Sequence, residues 1–144
     1  MIGIARPILV VLLCLAAATA ANAQGESALI ARAQRTPVRS LDSTFTATPF
    51  AKWIGSLRPL PSSRIHWEVN DCGEGGDGRA APTCVEAILD LAPDTTAHVS
   101  LIAADLAGKP GTPGIFMLNA IAGKSQIEFK TLAQWASFVR LRRR

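Results

Sequence analysis

Three carboxylates lie among glycines in one loop, which is a composition that can bind a cation. The stretch 71–82 reads DCGEGGDGRAAP, with Asp71, Glu74 and Asp77 at every third position. Calcium takes several oxygen ligands from a flexible loop, but the usual calcium loop has acids at alternate positions and a glutamate at the twelfth, which here is Pro82. The spacing therefore favours a solvated turn, with a weak cation site as the alternative, and we expect no bound metal or cofactor.

Hydrolysis is the second chemistry that the sequence allows, and few groups support it. Glu68 with Glu74 or Asp77 would be a carboxylate pair for glycoside cleavage, but nothing in the sequence fixes their separation. His66 stands near serines, yet no Gly-x-Ser-x-Gly motif surrounds them, and the chain has no tyrosine. The sequence therefore assigns no catalytic residue and favours a non-catalytic protein.

The first 23 residues have the pattern of a cleaved secretory signal peptide. They include 18 apolar residues, Arg6 precedes the apolar run 8–18, and small residues stand at Ala21 and Ala23. An uncleaved anchor is the alternative, but the run is short for a membrane span. We predict cleavage near Ala23, loss of Cys14, and a periplasmic or secreted protein.

Removal of the leader leaves two cysteines, Cys72 and Cys84, in a compartment that permits oxidation. We predict that they form a disulfide, which would stabilise the fold by about 3 kcal/mol in the chain-entropy model. Two free thiols for redox or metal chemistry are the alternative. No Cys-x-x-Cys motif is present, and neither histidine stands at zinc-ligand spacing from a cysteine.

Two segments have the apolar spacing of amphipathic helices. The first follows Thr48 and Pro49, which are typical of a helix start, and the second follows a capping-box pattern of Thr131 and Gln134. In each segment the apolar residues recur at offsets 0, 3, 4 and 7, as one buried helix face requires. These residues are Phe50, Trp53, Ile54 and Leu57, and then Leu132, Trp135, Ala136 and Val139.

Alternation and turn residues predict strands between these helices. Residues 64–70 alternate strictly, whereas 84–91, 98–106 and 115–121 are apolar runs separated by proline and glycine. The run 84–91 also fits helical spacing, and 126–129 is a short fifth candidate. We predict an α+β fold, with an antiparallel sheet of four or five strands in meander order, bracketed by an N-terminal and a C-terminal helix packed on one face. The predicted organisation is a signal peptide 1–23, a flexible tether 24–47, one domain 48–141 and a basic tail 142–144.

Four of the last five residues are arginines: Arg140, Arg142, Arg143 and Arg144. After removal of the leader the chain has 14 basic and 11 acidic residues, so its net charge is +3, and −1 without these four arginines. The basic character is therefore local. It fits a solvated tail at the negative end of a helix, attachment to anionic lipid or lipopolysaccharide, or docking onto an acidic protein. We expect no nucleic-acid binding, because no aromatic residues are interleaved with the arginines.

These features together favour a small exported protein-binding module without catalysis. Its partner would be an unidentified periplasmic or envelope protein, bound by the outer face of the sheet or by the loop 73–81 with Glu74, Asp77 and Arg79. An exposed sheet edge is a further docking surface, because a partner strand can complete its backbone ladder. The alternatives are an envelope-associated protein held by its arginines and a small periplasmic hydrolase.

Overall fold

The computed structural model describes residues 22–61, 64–73, 80–107 and 114–142. Within these ranges the chain forms four α-helices and five strands, and the strands make one antiparallel sheet in the order β1-β2-β3-β4-β5. The predicted α+β meander is therefore confirmed. The strands are β1 Ile65–Asp71, β2 Thr83–Ala92, β3 Thr95–Ile102, β4 Ile115–Ala122 and β5 Ser125–Glu128; the helices are α1 22–35, α2 Val38–Leu41, α3 Phe50–Leu57 and α4 Leu132–Leu141, with a 3-10 helix at Ala103–Ala107.

Alternation along the strands gives the sheet one apolar and one polar face. In β2 from Val85 onward, and throughout β3, the odd-numbered residues are buried, which resolves the ambiguity of the run 84–91 in favour of a strand. The inward residues of these two strands form the centre of the core. They are Val85, Ala87, Leu89 and Leu91 on β2, and Ala97, Val99 and Leu101 on β3.

Helices α3 and α4 pack on the same face of this sheet, as the sequence predicts. The Trp53 ring of α3 stacks on Trp135 of α4 with 6.3 Å between ring centroids, and Phe50 meets Trp67 of β1 edge to face at 6.2 Å. Aromatic side chains bury large areas and prefer such geometries, so these four residues join the two helices to the sheet. The opposite face of the sheet is left without a helix among the described residues.

The two helices begin in different ways. Thr131 caps α4 as predicted, and its hydroxyl accepts the Gln134 amide hydrogen at 3.2 Å. The predicted cap by Thr48 is not made, because Pro49 occupies the cap position of α3 and has no side-chain acceptor. Instead the Phe50 amide donates to the carbonyl oxygen of Thr36 at 2.8 Å, which ties α3 to the end of α1.

The segment 24–47, predicted as a flexible tether, contains α2 and most of α1. Ala33 and Val38 are fully buried in the core, and Leu29 and Ile30 pack against it. The sequence analysis did not assign these residues to the core, because two large apolar residues are few for a buried helix face. Ala33 is small but fully buried, and it gives α1 a further contact with the core. Residues 1–21 lie outside the described residues, so the leader and its cleavage stay predictions.

Candidate functional site

The face of the sheet that points away from the helices is the candidate functional site, and we call it the open face. Strand alternation and the register of the four strand pairs fix its membership, because directly opposite residues share a face. Its polar residues are His66, Glu68, Asn70, Glu86, Asp90, Thr96, His98, Ser100, Asn119, Gln126 and Glu128, and its apolar residues include Ile88, Ile102, Met117 and Ile121.

A hydrogen-bonded network lies at the centre of the open face. His98 Nδ1 is 2.9 Å from Glu86 Oε1, and the side chains are only 16% and 14% exposed. The Asn70 amide donates to the other Glu86 oxygen at 3.0 Å, and His98 Nε2 is 2.8 Å from the Thr96 hydroxyl. The ionised carboxylate can only accept, so His98 Nδ1 carries the hydrogen of this bond. His98 Nε2 accepts from the Thr96 hydroxyl when the ring is neutral and donates to it when the ring is charged.

The network holds Glu86 in its charged form. The hydrogen bond from His98 lowers the pKa of the Glu86 carboxyl below its ordinary value, with further lowering by Asn70, by the charge of His98 and by Ser100. Burial acts in the opposite direction, because it disfavours the charged form. The net lowering shows that the hydrogen bonds outweigh desolvation at this carboxylate.

The order hydroxyl, imidazole and carboxylate in Thr96, His98 and Glu86 is also the order of a hydrolytic triad. Acyl transfer needs free N–H donors beside the nucleophile to stabilise the oxyanion. Thr96 lies on β3, which pairs with β2 on one side and β4 on the other, so the backbone around it is committed to the sheet. The geometry therefore supports a cross-strand structural network.

A second histidine pair lies at the edge of the open face. His66 Nε2 is 2.9 Å from Asp90 Oδ2, and both side chains are well exposed. An exposed pair of this kind contributes little to stability, since water competes for both groups. The pair connects the edge strand β1 to β2, which the backbone ladder already joins.

Asn119 is one of the open-face residues that the sequence analysis did not single out. It is 6% exposed, its Oδ1 has no hydrogen-bond partner, and its Nδ2 makes only a weak contact of 3.7 Å with the sulfur of Met117. In β4 it stands directly opposite His98 on β3 and Glu128 on β5. A polar residue within the apolar run 115–121 was the available signal.

A groove lies beside the open face, where β5 is too short to cover β4. Strand β5 pairs with β4 only from Asn119 onward, so the first half of β4 has no partner strand on its outer side among the described residues. The cavity there has a volume of about 580 Å³. Its walls include Phe116, Met117, Glu128 and Lys130. The sequence analysis proposes an exposed sheet edge as a docking surface but does not say which strand supplies it.

The disulfide is the predicted site feature that the structure brings together. Cys72 and Cys84 are bonded, with 5.1 Å between their Cα atoms, and they join the end of β1 to the start of β2. The loop residues Glu74, Asp77 and Arg79 lie outside the described residues, so their binding role stays a prediction. Within the described ranges, no group of three histidine, cysteine or acidic side chains is arranged to hold a metal ion.

The described arginines of the C-terminus lie away from the open face. Arg140 is exposed in the last turn of α4, while the Arg142 guanidinium lies over the Phe138 ring, 5.6 Å from its centroid. The Arg142 carbonyl accepts a hydrogen bond from Arg58. Arg143 and Arg144 are outside the described residues. No helix in the described part of the chain is long and apolar enough to cross a membrane.

Fold and site together define a disulfide-bridged α+β protein whose sheet has one face open and polar. Comparison with protein-family models, curated proteins and solved structures finds no match for this chain.

Proposed function

We propose that the chain is an exported, non-catalytic protein-binding module and that its open face binds the partner. The disulfide supports export, because such bonds persist in oxidising compartments. The observation that carries the binding role is the composition of the open face. It combines an exposed isoleucine, Ile121, with a buried asparagine oxygen that has no partner, and a face that only required solubility would need neither.

Ile121 is the apolar contact on which this proposal depends most directly. It is 41% exposed on the open face and stands on the same strand as Asn119, two positions away. Phe116 adds a second exposed apolar side chain, at the neighbouring groove. Exposed apolar groups beside polar ones are typical of interface centres, where their burial contributes most of the binding free energy.

The proposal is tested by comparing two substitutions that make the same chemical change. Ile121→Lys places a charge on the open face, and Leu141→Lys places it on the end of α4, where Leu141 is 78% exposed. Each tagged protein is used to capture partners from the exported fraction of its own cells. A captured protein is then purified, and its dissociation constant is measured against all three forms.

We expect Ile121→Lys to weaken binding by about tenfold or more, because a central contact is lost. Leu141→Lys should bind like the unsubstituted protein. Equal binding by all three forms, or a loss caused by Leu141→Lys alone, would refute the open face as the binding surface. Circular dichroism and melting curves on both variants confirm that each is folded.

A further inference from the structure

The strands of the sheet contain acidic residues but no basic ones. The five strands contain no lysine or arginine, and four carboxylates point onto the open face: Glu68, Glu86, Asp90 and Glu128. The described basic residues all stand in helices, turns and connecting segments. They are Arg32, Arg35, Arg39, Lys52, Arg58, Arg64, Lys124, Lys130, Arg140 and Arg142. The open face therefore has a negative field that attracts cations.

Two of these four carboxylates have a histidine partner within the face. Glu86 is bound by His98, and Asp90 by His66. Glu128, by contrast, makes no side-chain hydrogen bond or ion pair within the described part of the chain. Its carboxylate is thus available to an incoming cation.

Asn119 supplies the second acceptor beside that carboxylate. Its side chain is more than nine-tenths buried on the open face, and its Oδ1 has no partner. Asn119 and Glu128 are directly opposite on β4 and β5, a relation that places Cβ atoms about 4.5–5.5 Å apart. An acceptor that is buried without a donor has lost its hydrogen bonds to water and gained none in return, which costs free energy. A donor that reaches this acceptor restores a hydrogen bond and so lowers the free energy of the complex.

The two acceptors match the donors of a guanidinium group. Arginine presents five N–H donors in a planar fork and keeps its charge at all ordinary pH values, whereas lysine is a compact point charge. One edge of the fork can pair with the carboxylate while another N–H reaches the amide oxygen. The Met117 thioether, which now contacts the Asn119 amide, is flexible and can rotate aside to open the path.

We propose that Asn119 and Glu128 form a subsite for an arginine side chain of a basic partner protein. This inference rests on the proposed function, since it names the chemistry of the partner that the open face binds. The surrounding carboxylates attract the basic segment, and the subsite selects arginine over lysine. Lys130, at the wall of the adjacent groove, makes no ion pair with Glu128 and does not fill the site.

The test uses three capped peptides that differ only in one side-chain type: alternating threonine with arginine, with lysine, or with citrulline, the neutral isostere of arginine. Each is titrated into the purified ¹⁵N-labelled protein at low salt. We expect the arginine peptide to shift the Asn119 side-chain amide signals and the backbone signals of β4 and β5. The lysine peptide should bind about tenfold more weakly, and the citrulline peptide weaker still.

Variants locate the subsite. Glu128→Gln and Asn119→Leu should each weaken the arginine peptide by about tenfold, because each removes one acceptor. Glu26→Gln, an exposed carboxylate on α1, is the matched control and should change nothing. Equal affinity for arginine and lysine peptides, or binding that survives both subsite variants, overturns the inference.

The failure of this inference is distinguishable from that of the proposed function. If Ile121→Lys abolishes capture of a natural partner while arginine peptides leave Asn119 unshifted, the open face binds proteins but the arginine subsite is wrong. If arginine peptides bind at Asn119 and Glu128 while Ile121→Lys leaves partner capture unchanged, the subsite is supported and the proposed role of the wider face is refuted.

Discussion

Replacement of Asn119 by leucine should make the protein more stable. The asparagine oxygen is buried without a partner, and such a group costs about 1–3 kcal/mol. Leucine has nearly the same shape and fills the space beside Met117 and Ile121 with apolar atoms. The change removes only the weak contact of the Asn119 amide with the Met117 sulfur. We therefore expect the free energy of unfolding to rise by about 1–2 kcal/mol, which raises Tm by roughly 5–10 °C for a domain of this size.

The measurement is urea unfolding followed by tryptophan fluorescence, since Trp135 is fully buried and reports on the core. A gain in stability appears as a higher urea concentration at the midpoint of unfolding. The dependence of the unfolding free energy on urea concentration should stay unchanged, because the same surface is exposed on unfolding. Asn70→Leu is the matched control on the same face, because it removes a donor to Glu86 and should destabilise. If Asn119→Leu lowers the midpoint as much as Asn70→Leu does, the Asn119 oxygen has a partner and the reasoning is wrong.

Three further predictions concern the network, the disulfide and the N-terminal helix. Glu86→Gln should lower the free energy of unfolding at pH 7 by about 1 kcal/mol. Because the folded-state pKa of Glu86 is lowered, the difference in unfolding free energy between the two proteins should shrink as the pH falls below about 4, which urea titrations can measure. Replacing Cys72 and Cys84 with alanine should cost about 3 kcal/mol and lower Tm without loss of the native circular dichroism spectrum; a protein unfolded at room temperature would contradict this. Ala33→Glu should destabilise by about 2 kcal/mol or more while Ala28→Glu, on the exposed side of α1, has little effect; equal small effects would show that α1 is only a tether.

The sheet could be predicted from the sequence because alternation is a strong local signal. His66, Glu68 and Asn70 alternate with apolar residues, so the two faces of β1 follow directly from the pattern. The run 84–91 was ambiguous, since its apolar residues fit both a strand and a helix. Burial of Leu91 together with Leu89 decided it, and that burial depends on the whole sheet.

The network of the open face could not be predicted, because it depends on strand register. Glu86 and His98 are twelve residues apart, and a register shift of one residue would turn one of them into the core. The register is set by the turn around Asp94 and by an irregularity between Asp90 and Ala92, neither of which the sequence pattern determines. Composition alone showed that carboxylates and histidines exist, and only the pairing of strands showed which of them meet.

Substitution of Asn119 distinguishes a structural role of this residue from a binding role. If Asn119 only packed in the sheet, Asn119→Leu would change stability and leave arginine binding unaltered. If it belongs to an arginine subsite with Glu128, the substitution moves the two properties in opposite directions: the fold gains stability and the peptide loses affinity. Glu128→Gln then provides the complementary case, because the exposed Glu128 contributes little to stability and its loss should affect binding alone. Opposite signs at one position and a single effect at its neighbour are a pattern that general destabilisation cannot produce.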